Sequence, residues 1–223
     1  MIDRYDWPGG HEALWRFGPD TGPVVLLILP PFEEANRTRT FAVGLLRALA
    51  DRGIAGMLPD LPGQGESPLA TDAVTLGDWR SAITALVDAG DRPVVGASIR
   101  AGALFDTGAA VACRWQLAPQ SGSRLVRELE RVAQAAGGID RGAPVVDIAG
   151  NRIAASMLAD LAGATPCTDH PCRIVRLGTD PDHADLRIDA APVWRRAEPG
   201  DDPVLAALLA DDLAAWSRAC VGW

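Results

Sequence analysis

Asp60-Leu61-Pro62-Gly63-Gln64-Gly65-Glu66-Ser67 stands directly behind a short apolar run, Ile54 to Leu58. An apolar run of that length, bounded by Gly and Pro, reads as a strand buried on both faces. Gly63 and Gly65 offer backbone angles that other residues avoid, so the chain is expected to reverse sharply as it leaves the strand. The stretch marks architecture and assigns no group to chemistry.

Working outward, short apolar runs alternate with longer stretches of helical spacing. Leu14 to Phe17 reads as an early antiparallel strand and Pro23 to Leu29 as a central one. A helix is predicted over Thr38 to Asp51, with Phe41, Leu45, Leu46 and Leu49 on one face and Gly53 closing it. Further helices are expected at Leu76 to Ala89, Arg100 to Ala112, Ser123 to Ala136 and Ile153 to Leu161, and strands at Pro93 to Ser98, Cys113 to Leu117, Arg173 to Leu177 and Leu186 to Ala190. Ala149-Gly150-Asn151-Arg152 reads as a turn. Pro203 to Ala219 closes the chain as a helix, with Leu205, Leu208, Leu209, Leu213 and Trp216 on one face. With no repeat and no linker, the pattern is that of one α/β domain over residues 1–223: a mostly parallel central sheet, helices on both faces and no large cap domain. It closely matches the α/β-hydrolase arrangement, in which a glycine-bearing loop like Asp60 to Ser67 follows the fourth strand.

Composition narrows the chemistry. The formal charge of −8 disfavours nucleic acid, whose phosphates would be repelled. All 21 basic residues are Arg, which excludes a Schiff-base lysine, a phosphate-loop lysine and a Ser–Lys pair. The longest apolar stretch, Val24 to Leu29, is too short to span a bilayer, and Met1 to Gly10 lacks a charged-then-apolar leader pattern, so a cytoplasmic location is expected. Cys167 and Cys172, with His170 between them, lack further ligands at workable spacing, and Cys113 and Cys220 lie far off. No metal or cofactor is expected, and the four cysteines read as small buried thiols in a reducing compartment.

Val94-Val95-Gly96-Ala97-Ser98-Ile99-Arg100-Ala101-Gly102 has the makings of a nucleophile elbow, a strand that turns through a strained tip into a helix. Such a turn needs small residues two before and two after the tip. With Ser98 at the tip, one flank is Arg100, far too large. With Arg100 at the tip, the flanks are Ser98 and Gly102, both small. Arg100 therefore takes the nucleophile's place, and an arginine stays protonated and cannot attack. The base of this fold follows the last strand, where Ala191-Pro192-Val193-Trp194-Arg195-Arg196 contains no histidine. The histidines are His11, His170 and His183, the last in Thr179-Asp180-Pro181-Asp182-His183, where an acid is expected.

Leu29-Pro30-Pro31-Phe32-Glu33-Glu34-Ala35-Asn36-Arg37-Thr38-Arg39 follows the central strand, where hydrolases place a loop that donates an oxyanion N–H. Phe32 and Ala101 are the candidate donors beside Arg100, and Glu33 and Glu34 flank the same cleft. Two readings follow from one physics. In one, a Glu–Arg ion pair plugs a vestigial site. In the other, Arg100, the two N–H groups, Asn36 and the start of the Arg100 helix bind a carboxylate or phosphate.

Pro30 to Arg39 resembles a signature of the type 2 hydrolase-like proteins associated with exosortase A systems, as does the elbow Ser98-Ile99-Arg100-Ala101-Gly102. Further matches are Trp115-Gln116 before Pro119, Ile148-Ala149-Gly150 and Pro192-Val193-Trp194, so the resemblance runs from about Val24 to Trp216. It departs in carrying Ser98 where Gly is usual and in placing the acidic pair directly after Phe32. The resemblance implies a Gram-negative bacterium that makes exopolysaccharide and sorts PEP-CTERM proteins, with "hydrolase" describing fold. Three roles stay open: an inactive homologue that binds a small anion, an ester or thioester hydrolase using Ser98 or a water held by Glu33 or Glu34, and an assembly partner with Trp7 or Trp223 at an interface.

Overall fold

The computed structural model describes every residue except those at 139, 141, 170, 179 and 197. The chain opens with an antiparallel pair, β1 (Ile2–Trp7) and β2 (Gly10–Phe17), of which β1 goes beyond the early strand expected at Leu14–Phe17. Next come β3 (Val24–Ile28), α1 (Glu33–Asp51), β4 (Ala55–Pro59), α2 (Leu76–Asp88) and β5 (Val94–Ile99). They are followed by β6 (Cys113–Leu117), α3 (Gly122–Ala135), a hairpin of β7 (Val145–Ile148) and β8 (Asn151–Ala154), and α4 (Ala155–Gly163). The last elements are β9 (Cys172–Leu177), β10 (Leu186–Ile188) and α5 (Pro203–Val221).

Eight strands form one sheet in the order β1-β2-β4-β3-β5-β6-β9-β10. From β4 to β10 every neighbouring pair is parallel. The alternation of β3 shows how the sheet is covered. Val25 and Leu27 join the core under α1 and α5, and Leu26 and Ile28 join the core under α2, α3 and α4. Both faces are dry, which is why the strand reads as an unbroken apolar run. Each such side chain contributes about 1.5–3 kcal/mol on burial.

Local chemistry sets the element ends. Thr75 and Asp78 make a capping box at the start of α2, and Asp202 caps α5 ahead of Pro203. The turn expected at Ala149–Arg152 is the tip of the β7–β8 hairpin. Ala149 and Gly150 both have positive φ, 53° and 81°, as a two-residue type I′ connection demands. Because Asn151–Ala154 is strand, the helix expected from Ile153 begins at Ala155.

Two expectations are corrected. Arg100 to Ala112 is not a long helix: only Arg100–Leu104 coils, as a short 3-10 turn. Asp106 instead binds Arg114 at 2.7 Å, both buried, and Gly108 turns through a φ of 91°, so the segment is pulled into a loop. Gly96 leaves room for this pair, since a Cβ there would stand 3.2 Å from an Asp106 carboxylate oxygen. The second correction concerns the cysteines. Cys113 and Cys220 are bonded to each other, tying α5 to β6, while Cys167 and Cys172 are free.

That bond closes a loop of 107 residues. Cys220→Ala is therefore expected to lower unfolding stability by about 2–4 kcal/mol, measured by urea denaturation, and added reductant should produce the same loss in the parent protein and none in the variant.

Candidate functional site

β5 ends at Ile99, and Arg100 follows with φ 55°, a left-handed backbone that a large side chain adopts only under constraint. The constraint is packing. A Cβ on Gly102 would lie 2.4 Å from the Ile28 carbonyl oxygen, so the turn closes onto β3 only because position 102 is bare. Ser98 sits inside β5, opposite Ile28 on one side and Gln116 on the other, and is buried.

The Arg100 side chain is surrounded. Its Nε donates to Glu34 Oε1 at 2.9 Å and its Nη2 to Glu128 Oε2 at 2.8 Å. Its Cζ lies 5.4 Å from the centre of the Trp194 ring. Trp194 is buried and follows β10, where the fold's base is sought. Burial pushes the Glu34 carboxyl up from its ordinary value, against the pull of Arg100. Glu34 is thus a reluctant anion, and Glu128, more open to water, shares the guanidinium.

Two cavities meet at this group. One, of about 300 Å³, is walled by Phe32, Leu125, Leu129, Val132 and Ile148, with Glu33, Glu34, Arg37, Arg100, Glu128 and Arg195 as its polar lining. The other, of about 360 Å³, lies between Leu177, Pro181 and Pro192 and includes Asp180 and Asp189. Arg100, Trp194 and Arg195 border both.

The oxyanion arrangement expected from the sequence does not hold as drawn. The Phe32 amide donates to Gln64 Oε1 at 2.8 Å, inside the protein. Gln64 belongs to the Asp60–Ser67 loop, which is itself fixed by Asp60 accepting from Arg39 and from the Glu66 amide. Gly65, with φ 57°, is required there because a Cβ would collide with the Asp60 carboxylate. Ala101 is fully buried and is not part of either cavity wall, and Asn36 is exposed on α1 away from both. Nor does a long helix point its N-terminus at the site, since only the 3-10 turn is present.

Of the remaining candidates, Glu33 lines the first cavity and is paired with Arg37 one helical turn on, at 2.6 Å. His183 is exposed, with Nε2 3.8 Å from Asp185, and His11 is exposed in β2. His170 lies outside the described residues. Asp180 is bonded to Arg176 at 2.8 Å. Burial acts to raise its carboxyl, but hydrogen bonds from Arg176 and the Asp182 amide outweigh that and hold it below its ordinary value. Trp7 is in the core and is no interface residue, whereas Trp223 is half exposed beneath Arg218. Among the described residues no group of three or more His, Cys, Asp or Glu is arranged to hold a metal, and no helix is long and apolar enough to cross a membrane.

Sequence reasoning missed Glu128. It lies 28 residues from Arg100 on a different element, and no motif links them. The signal for Trp194 was present, as the residue standing where a histidine was sought.

The sheet order, the crossovers and the turn after β5 are those of the α/β-hydrolase fold. Solved structures sharing it include Est1E from Butyrivibrio proteoclasticus, with 15% identity, TM-score 0.63, and 100% of this chain and 99% of that one covered. Alpha/beta hydrolase domain-containing protein 10 from mouse has 16% identity and TM-score 0.65, over 98% and 99% of the two chains. A bottromycin epimerase solved with bottromycin A2 has 16% identity and TM-score 0.55, over 99% of each. At such identities the likeness is one of fold. No family model and no curated protein matches the sequence.

The Glu34 shift carries a sign. Its folded value is raised, so its contribution to stability is fully present below the unfolded carboxylate value of about 4.3 and is lost as pH rises through the folded value. Glu34→Gln removes that dependence while leaving an acceptor for Arg100. The melting temperature of the variant relative to the parent is expected to rise from pH 4 to pH 8 in thermal scans. A relative fall would show that Glu34 is held as a stabilised anion.

Proposed function

We propose that this chain is a non-hydrolytic protein of the α/β-hydrolase fold that binds a small amphipathic anion, a carboxylate or phosphate, in the cavity beside Arg100. The observation that carries the reading is the tip of the elbow, a guanidinium held between Glu34 and Glu128 under the Trp194 ring. Acyl transfer needs a nucleophile at the tip, a base within reach of it and free N–H donors for the oxyanion. Here the tip is a permanent cation, Trp194 stands at the base position and the Phe32 amide is engaged by Gln64. What is left is a cavity with one apolar wall and a few convergent charges, the usual make-up of a small-molecule site. The fold itself is not confined to hydrolysis, as the epimerase neighbour illustrates.

On the resemblance carried by Pro30–Arg39 and Ser98–Gly102, we further assign the chain to the company of exopolysaccharide and PEP-CTERM sorting systems in Gram-negative bacteria. The cytoplasmic location expected from the sequence and the Cys113–Cys220 bond pull in opposite directions, because structural disulfides are rare where thiol pools are reducing.

A second reading rests on Glu34 alone. A buried carboxyl with a raised pKa beside a cavity has the character of a general base for a water. One assay series separates the two. With p-nitrophenyl butyrate and a butyryl thioester, the parent is expected to hydrolyse no faster than Ser98→Ala or Glu34→Gln, while octanoate binds the parent at one site by calorimetry. Turnover lost in Ser98→Ala overturns the proposal, and turnover lost only in Glu34→Gln establishes the second reading.

A further inference from the structure

The charges that line the first cavity are not equivalent. Arg37 is occupied by Glu33, and Arg100 by Glu34 and Glu128. An incoming anion that used Arg100 would have to displace a carboxylate already bonded to it at 2.8–2.9 Å. The displaced glutamate would be left in a half-buried setting without a partner, a costly exchange. Arg195 differs. It makes no ion pair among the described residues, is exposed, and borders both cavities. Its backbone is the continuation of Trp194, whose ring is fixed over Arg100 in a short 3-10 turn of residues 193–195. The apolar wall of Leu125, Leu129, Val132 and Ile148 belongs to the same cavity.

We infer that Arg195, and not Arg100, is the group that recognises the ligand's anion, and that the ligand is a monoanionic amphiphile whose apolar body lies along Leu125, Leu129, Val132 and Ile148. The inference rests on the ligand-binding reading above and names its substrate class. Arg100 is then a positioning residue: neutralised by its two glutamates, it holds Trp194 and through it the turn that presents Arg195. A charge-assisted, two-pronged contact from a guanidinium suits a carboxylate or phosphate head. The uncommitted state of Arg195 means that the contact forms without breaking another.

The test is calorimetry at low ionic strength with octanoate and its uncharged counterpart octanamide, on the parent, Arg195→Ala and Arg127→Ala. Arg127 is exposed on α3 outside both cavities, so its variant removes the same charge without touching the site. Octanoate is expected to bind Arg195→Ala about tenfold more weakly than the parent, the scale of one lost charge-assisted hydrogen bond. It should bind Arg127→Ala unchanged, and octanamide should bind all three alike. Equal octanoate affinity in the parent and Arg195→Ala overturns the assignment of Arg195 and leaves the ligand-binding reading standing. Binding of neither probe to the parent overturns both. Loss of octanamide along with octanoate in Arg195→Ala shows that the residue shapes the cavity and does not read charge, which also overturns the assignment.

Discussion

The site depends on one arrangement: a guanidinium at the strained end of a buried strand, shared by two carboxylates and covered by an indole. Arg100 occupies a left-handed backbone position with its side chain almost wholly inside the protein. A lone buried cation would be expelled or would unfold its surroundings. Glu34 reaches it from α1 and Glu128 from α3, so the charge is neutralised by helices that lie at opposite ends of the sequence order around the elbow. Trp194, from the segment after the last strand, completes the enclosure. Three separate crossovers of the sheet thus converge on one side chain, at the carboxyl ends of the strands where open α/β sheets bind their ligands.

That convergence explains the neighbouring features. With Glu34 committed to Arg100, the start of α1 is fixed, and Phe32 just before it takes a positive φ and gives its amide to Gln64. Phe32 also packs against Trp79, which stacks edge-on with Phe105 and donates to the Pro62 carbonyl. Loop, elbow and α2 are in this way one continuous packing unit. The apolar wall of the cavity comes from α3 and the β7–β8 hairpin, which are inserted between β6 and β9. Glu128 lies on the same helix as Leu125, Leu129 and Val132, so the residue that neutralises Arg100 also brings the apolar wall to it.

The fold was legible in the sequence because its signals are local. The glycine-bearing loop after β4, the unbroken apolar runs of β3 and β5, and the small flanks at Ser98 and Gly102 each express a steric demand within a few residues. The register of the elbow could be decided from side-chain size alone. The long helix read after Arg100 failed because a buried Asp106–Arg114 pair, formed across eight residues, outweighs a helical propensity that Ala-rich sequence supplies cheaply to many segments. Glu128, the Cys113–Cys220 bond and the Phe32–Gln64 hydrogen bond are long-range pairings. No periodicity or motif announces such contacts. The candidate donors Phe32 and Ala101 were proposed by analogy with position in the fold, and position does not say which acceptor a backbone amide already has.

The central claim is that this elbow carries no activated nucleophile, and covalent labelling addresses it most directly. The protein, incubated with a fluorophosphonate that reacts with activated serines, is analysed by intact mass and then by peptide mapping. The account predicts an unmodified mass after prolonged exposure. A single phosphonyl adduct mapped to Ser98 would contradict it, because it would require Ser98, and not Arg100, to present its side chain at the tip beside a working base.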